Sequence, residues 1–279
     1  MGIRRRQRAG GVVAWASMPS PPRVNAVVLA GGGAADALAR AAGVASKSLV
    51  PLAGAPMGAY VASALRASGV VERIVYVGPA DARIAAMVDH VVPSGARMVD
   101  SLALGFGAAF AGAQGAQRIL LVTGDVPWWR AEGVRDFVTD APAAALVYPV
   151  VRAETALAAF PKQRRTFVRL RDGRFTGGNA ALLTPEAAVA LLPVIDQVFR
   201  ARKAPWRLAA LVGIDVVVGL LTGRVTLERL EARISAILGV SGRVLISDDA
   251  GIAADVDKPA QLVTSSTDGP PLAALVGPS

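Results

Sequence analysis

Four short segments hold residues whose types and spacing can do chemistry on phosphates. Val27-Val28-Leu29-Ala30-Gly31-Gly32-Gly33 is an apolar run ending in three glycines, which let backbone N–H groups approach phosphate oxygens with no Cβ in the way. Such a turn is also a plain connection after a strand, so by itself it leaves both readings open. Lys47 opens a second segment, Lys47-Ser48-Leu49-Val50-Pro51-Leu52-Ala53-Gly54-Ala55-Pro56, where two prolines and a glycine stiffen a loop able to fold its lysine back over a triphosphate. The third, Leu120-Leu121-Val122-Thr123-Gly124-Asp125-Val126-Pro127, reads as a buried strand ending in an acid. That carboxylate can hold a divalent cation against an α-phosphate, or cap a helix over Trp128 to Phe137. The fourth, Ala254-Asp255-Val256-Asp257-Lys258-Pro259, sets two acids around one valine, on one side of an extended segment, as cation ligands or as a cap and turn.

Composition narrows the chemistry. The 279 residues contain no cysteine and one histidine, His90. Disulfides, thiolate metal sites, Fe–S clusters and cysteine nucleophiles are excluded, and any bound metal must rest on oxygen ligands, which favours Mg²⁺ or Mn²⁺. The net charge of +9 is concentrated in Arg4 to Arg8, in Lys162 to Arg174 and in Arg200 to Arg207. These clusters read as a solvated basic surface or as part of a site for a small polyanion, rather than as a nucleic-acid face.

Together, the glycine and lysine segments resemble the signature of nucleotidyltransferases that make nucleotide sugars, isoprenoid precursors and molybdenum or cobalamin cofactors. That pattern reads L-A-G-G-x-G-x-R, then K-x-L-x-P-x-x-G-x-P. The chain is similar to the MobA-like NTP transferase family, including molybdenum-cofactor and adenosylcobinamide-phosphate guanylyltransferases, over roughly 24–183 and 242–262. The resemblance implies transfer of a nucleoside monophosphate from an NTP to a phosphorylated small-molecule acceptor, with release of pyrophosphate. It makes Lys47 and Asp125 the catalytic pair, and gives the nucleotide Leu29, Ala30, Gly31, Gly32, Gly33 and Lys47. It gives the metal Asp125 and Asp257, with Asp255 the second-best match to the latter position. Gly177, Gly178 and Asn179 would face the acceptor and Arg165 would hold its phosphate, although the two glycines also suit a tight strand bend.

The match departs at one place. The family arginine after the glycines is missing, and by count Asp36 stands there, repelling a triphosphate by ~1 kcal/mol at ~4 Å when fully solvated. Arg40, one helical turn on, is the candidate substitute. A glycosyltransferase using a nucleotide-sugar donor is the alternative on the same fold, but Gly124-Asp125-Val126-Pro127 lacks the second acid of a D-x-D pair. A catalytically silent nucleotide-binding module is the alternative of another class. The glycine loop lacks the G-x-G-x-x-G spacing of a nicotinamide dehydrogenase.

To position these residues, the pattern predicts a Rossmann-like three-layer α/β/α fold, GT-A-like, with a mostly parallel mixed sheet and a helical insertion. Strands are expected over 23–30, 72–77, 118–123, 144–150 and 244–246, with a short one at 90–92. A strand pair, 164–171 and 174–183, should turn at Asp172-Gly173. Helices are expected over 57–68, 80–89 and 98–113, and after the Thr184-Pro185-Glu186 cap from 185 to 239, broken near Pro205, Gly213 and Gly223. Residues 1–22 read as a disordered extension with Met18 a second candidate start, 23–265 as the nucleotidyltransferase domain with its insertion at 186–240, and 266–279 as a flexible tail. The location expected is cytoplasmic. The apolar stretch 208–223 is too short to span a bilayer. It reads as a buried helix or homodimer contact, or as a peripheral membrane contact.

Overall fold

In a computed structural model, the structure describes residues 22–32, 36–111, 118–201, 213–257 and, singly, 206, 209, 211 and 272. Residues 1–21 of the extension expected over 1–22, most of the expected tail, and Gly33 lie outside the described residues.

The chain builds a nine-stranded mixed sheet in the order β5-β4-β1-β6-β10-β7-β9-β8, with β11 also paired to β7. The strands are β1 (Val24–Leu29), β4 (Val71–Val77), β5 (His90–Val92), β6 (Ile119–Thr123), β7 (Leu146–Arg152), β8 (Val168–Leu170), β9 (Gly173–Gly177), β10 (Ala180–Leu183) and β11 (Gly242–Ser247). The half that carries the glycine loop, β5-β4-β1-β6, is wholly parallel, as is the β7–β11 pair. β10 runs antiparallel between β6 and β7. A separate hairpin joins β2 (Pro51–Leu52) to β3 (Ala55–Pro56).

Alternation of side chains explains the three layers. From β1, Ala26 and Val28 enter one core and Val27 the other; from β4, Ile74 and Tyr76 enter the first and Val75 and Val77 the second. Both faces are covered, so these strands read as continuous apolar runs rather than as polar–apolar alternation. The first face is covered by α2 (Met57–Ala67), α3 (Ala82–Met87) and α5 (Ala131–Thr139), and the second by α4 (Met98–Phe110) and α7 (Pro185–Ala201). The expected Rossmann-like α/β architecture is the one observed.

Several local expectations need correction. The helix after Asp125 begins only at Ala131, with Arg130 at its N-cap, so Asp125 caps nothing. The strand expected over 174–183 is two strands: Gly178 and Asn179 leave the sheet line, with Gly178 N–H donating to Pro149 and Asn179 N–H to Ile252. Two short helices, α1 (Ala37–Ala42) and α6 (Ala153–Ala159), have too few residues to show a helical period in sequence. The insertion contains α8 (Ile214–Thr222) and α9 (Leu227–Leu238). α8 is not a buried helix, because only Val216 in it is buried. No helix among the described residues is long and apolar enough to cross a membrane.

Candidate active site

Open α/β sheets bind ligands beyond the carboxyl ends of parallel strands, where successive connections leave in opposite directions. Here that point lies at β1, flanked by β4 on one side and β6 on the other. A cleft of about 640 Å³ opens there, lined by Leu29 to Gly32, Asp36, Lys47, Ser48, the stretch Gly95 to Met98, Ser101 and Thr123 to Asp125.

Close backbone approach shapes the glycine loop. A Cβ on Gly78, at φ +137°, would meet the Ala30 carbonyl carbon and oxygen and the Gly31 nitrogen at 2.7–2.8 Å. Ala30 N–H donates to Val77 and Gly124 N–H to Leu29, so the ends of β4, β1 and β6 are tied together beneath the cleft. Gly31 has no room for a side chain, as its Cβ would stand 2.7 Å from Ser94 Cβ, whereas Gly32 faces open space.

The second segment delivers Lys47 from a one-turn 3-10 helix, Lys47–Leu49. Buried Ser48 anchors it: the Tyr76 hydroxyl lies 2.9 Å from Ser48 Oγ, which donates in turn to the Ala30 carbonyl. The Pro51–Pro56 hairpin turns through Ala53 (φ 47°) and Gly54 (φ 86°), both left-handed, as a two-residue hairpin turn requires. Lys47 Nζ lies 2.6 Å from Asp125 Oδ2 and also contacts Asp257 Oδ1. Burial alone would lower the Lys47 pKa, but the charges and hydrogen bonds of Asp125 and Asp257 outweigh it and hold the amine above its ordinary range.

Asp257 reaches this place because Val256 N–H donates to the Asp125 carbonyl, 3.2 Å away. Asp255 turns elsewhere, 3.5 Å from the guanidinium of Arg165. Burial, reinforced by the charges of Asp257 and Asp125 and opposed by Arg165, pushes the Asp255 carboxyl up to about 6. Two oxygens at the end of β6, Thr123 Oγ1 and Asp125 Oδ1, are buried with no hydrogen-bond partner. An unpartnered carboxylate oxygen beside a second carboxylate suits a hard cation. Among the described residues no three acidic or imidazole groups converge, so such a cation would draw its other ligands from bound phosphates and water.

The remaining expected residues fall in distinct places. Asp36 does line the cleft, but its carboxylate caps α1, accepting from Leu38 N–H at 2.9 Å and Ala39 N–H at 3.1 Å. Arg40 lies exposed on α1 and does not line the cleft. Gly177 and Gly178 stand against Tyr148 and Pro149, where a Cβ would come within 2.5 and 2.9 Å, so packing alone accounts for both glycines. Asn179 bonds through backbone and side chain to the Ile252 carbonyl. Arg165 is almost wholly buried against Gln163 and Asp255.

Arg97 is the cleft residue that motif reading misses. It caps α4 at the end of β5, bound by two nitrogens to Asp100 and by Nη1 to Asp196 at 3.0 Å. The available signal was its place in Ser94-Gly95-Ala96-Arg97, a loop between a short strand and a helix start.

Comparison with known proteins places the site in a family context. The model of the MobA-like NTP transferase domain matches residues 26–210. A hypothetical transferase from Thermus thermophilus is 40% identical, with TM-score 0.78 over 86% of this chain and 99% of that one. A nucleotidyl transferase from Methanothermobacter thermautotrophicus has 16% identity and TM-score 0.51 over 87% of this chain and 95% of its own. A CMP:2-keto-3-deoxy-manno-octonic acid synthetase solved with CTP has 14% identity and TM-score 0.50 over 87% and 96%. The last two share the fold alone. No curated protein matches the sequence.

Proposed function

The chain belongs to the MobA-like NTP transferase family, and from that premise we propose that it transfers a nucleoside monophosphate from an NTP to a phosphorylated small-molecule acceptor. An acceptor phosphate oxygen attacks the α-phosphorus, the bond from that phosphorus to the β-phosphate oxygen breaks, and pyrophosphate leaves with the bonding electrons. The observation that carries this reading is the Lys47 ammonium held against Asp125 and Asp257 beside a cleft floored by the glycine loop.

The chain's own groups supply positioning and charge. Backbone N–H groups at Gly31 and Gly32 face the phosphates. Lys47 leaves its two acids for the triphosphate, and Arg97 adds a second cation from the opposite wall. Gly95 to Met98 and Ser101 form the wall available to the base or ribose. Asp125 and Asp257 would hold Mg²⁺ or Mn²⁺, which when bound offsets the charge that builds as pyrophosphate departs.

Pyrophosphate release screened with four NTPs against sugar and alditol phosphates tests the reaction. Activity that needs a divalent cation and is lost in Asp125→Ala is expected. An Asp125→Ala enzyme with undiminished turnover would remove that residue from the mechanism. A silent nucleotide-binding module is the second reading, favoured by the missing arginine after the glycines, where Asp36 stands instead and Arg40 does not line the cleft. Calorimetry showing NTP binding with no pyrophosphate from any acceptor would select it.

A further inference from the structure

We propose that α8 and the neighbouring β8–β9 hairpin form a docking surface for membranes rich in anionic lipid. On α8, Ile214, Val218 and Leu221 are 73, 53 and 83% exposed, and their spacing of four and three residues puts them on one helical face. The opposite side of α8 is seated: Val216 is buried, and Leu220 packs with Val225 and Leu170. The helix therefore lies flat on the body with an apolar stripe outward. Val168, on β8 beside α8, adds a further exposed apolar side chain.

The charge around this stripe is mostly positive, and the carboxylate at the β8–β9 turn, Asp172, accepts from Leu227 N–H. Arg169 runs along the C-cap of α8, where a Cβ on Gly223 would touch its Cδ at 3.3 Å. Arg171 N–H bonds to the Val225 carbonyl, and Arg224 follows the cap directly. Arg169, Arg171, Arg174 and Arg224 are exposed, and no described carboxylate pairs with any of them. Asp215, the acid within α8, is neutralised by Arg229 at 2.7 Å.

An outward apolar stripe rimmed by exposed arginines is the pattern of a helix lying in the headgroup region, its arginines reaching phosphates at the same depth. A nucleic acid would match the arginines but leave the stripe in water. A twofold contact with a second copy would bury the stripe but set each arginine group near its own image.

The test is flotation of the full chain with vesicles of phosphatidylcholine alone or mixed with phosphatidylglycerol. Binding is expected only with phosphatidylglycerol. The double variant Ile214→Ser/Leu221→Ser should weaken it on the order of a hundredfold, about tenfold per apolar side chain. Arg169→Glu/Arg224→Glu should weaken it as well, with thermal melting checking that both variants fold. No flotation of the wild type would overturn the proposal. So would equal flotation of the Ile214/Leu221 variant, because Arg4 to Arg8 could then bind by charge alone. A dimer seen in sedimentation and abolished by the same variant would assign the stripe to a second copy instead.

Discussion

Lys47 and Asp125 form a close ion pair, 2.6 Å apart and with side chains only 13 and 18% exposed, at the floor of the cleft. The single ammonium of Lys47 bridges the two carboxylates of Asp125 and Asp257 and offsets half of their charge. The proposed cation site at these two acids can therefore be tested through stability, apart from the role of their lysine.

Lys47→Met should expose this. Loss of the amine leaves two carboxylates facing each other, one of them mostly buried, at a cost of about 1–3 kcal/mol, below the range for fully buried pairs because Asp257 is largely exposed. The variant should melt lower than wild type in EDTA and recover much of the loss in millimolar Mg²⁺, a gain the wild type shows to a smaller degree. Identical melting of the variant with and without Mg²⁺ would remove the cation site from Asp125 and Asp257.

Gly78 and Gly32 make opposite predictions. Gly78→Ala combines a left-handed backbone with a clash against Ala30 and Gly31, so it should lift the loop, raise the KM for NTP tenfold or more and lower stability by about 1–3 kcal/mol. Gly32→Ala meets nothing and should fold with near-normal stability. If Gly78→Ala binds NTP as the wild type does, the close approach of β4 to the loop has no part in holding phosphate.

Arg97 joins the cleft to the helical insertion through Asp196, which also binds Arg200 at 2.6 Å. Arg97→Ala should raise the KM for NTP about tenfold, the worth of roughly one charge-assisted hydrogen bond to phosphate. Asp196→Asn frees one of its restraints and should move NTP affinity the other way, or leave it unchanged if Asp100 dominates. Unaltered NTP binding in Arg97→Ala would return the cation role to Lys47 alone.

The strands that floor the site were legible because β1, β4 and β6 are buried on both faces and so spell uninterrupted apolar runs. The family motifs pointed to Lys47 and Asp125, which the structure brings together: Asp125 follows the end of β6, and Lys47 opens a one-turn helix that Ser48 ties to the Ala30 carbonyl. Asp36 misled because counting along a loop cannot show that its carboxylate is spent on the N–H groups of a helix only six residues long. Arg97 was missed because its only local mark is a loop between a short strand and a helix start; the order β5-β4-β1 is what puts the end of β5 beside the glycine loop. Asp255 and Asp257 were expected on one side, as in a strand. Residues 254–257 form no strand, and the two acids face Arg165 and Lys47 separately.

Asp255 yields the pH prediction. Its carboxyl is pushed up to about 6 chiefly by burial, above the ~3.9 of an unfolded aspartate. Between these values the folded protein holds a proton that the unfolded chain has released, so stability falls as pH rises through that window. The loss is on the order of 3 kcal/mol when complete and persists at neutral pH. Asp255→Asn keeps the shape and removes the titration, so in EDTA its denaturant midpoint should exceed that of wild type at pH 7 and approach it at pH 4.5. A wild-type minus variant difference that stays constant from pH 4.5 to 7 would mean that Asp255 titrates in the folded protein much as it does in water, with Arg165 compensating its burial.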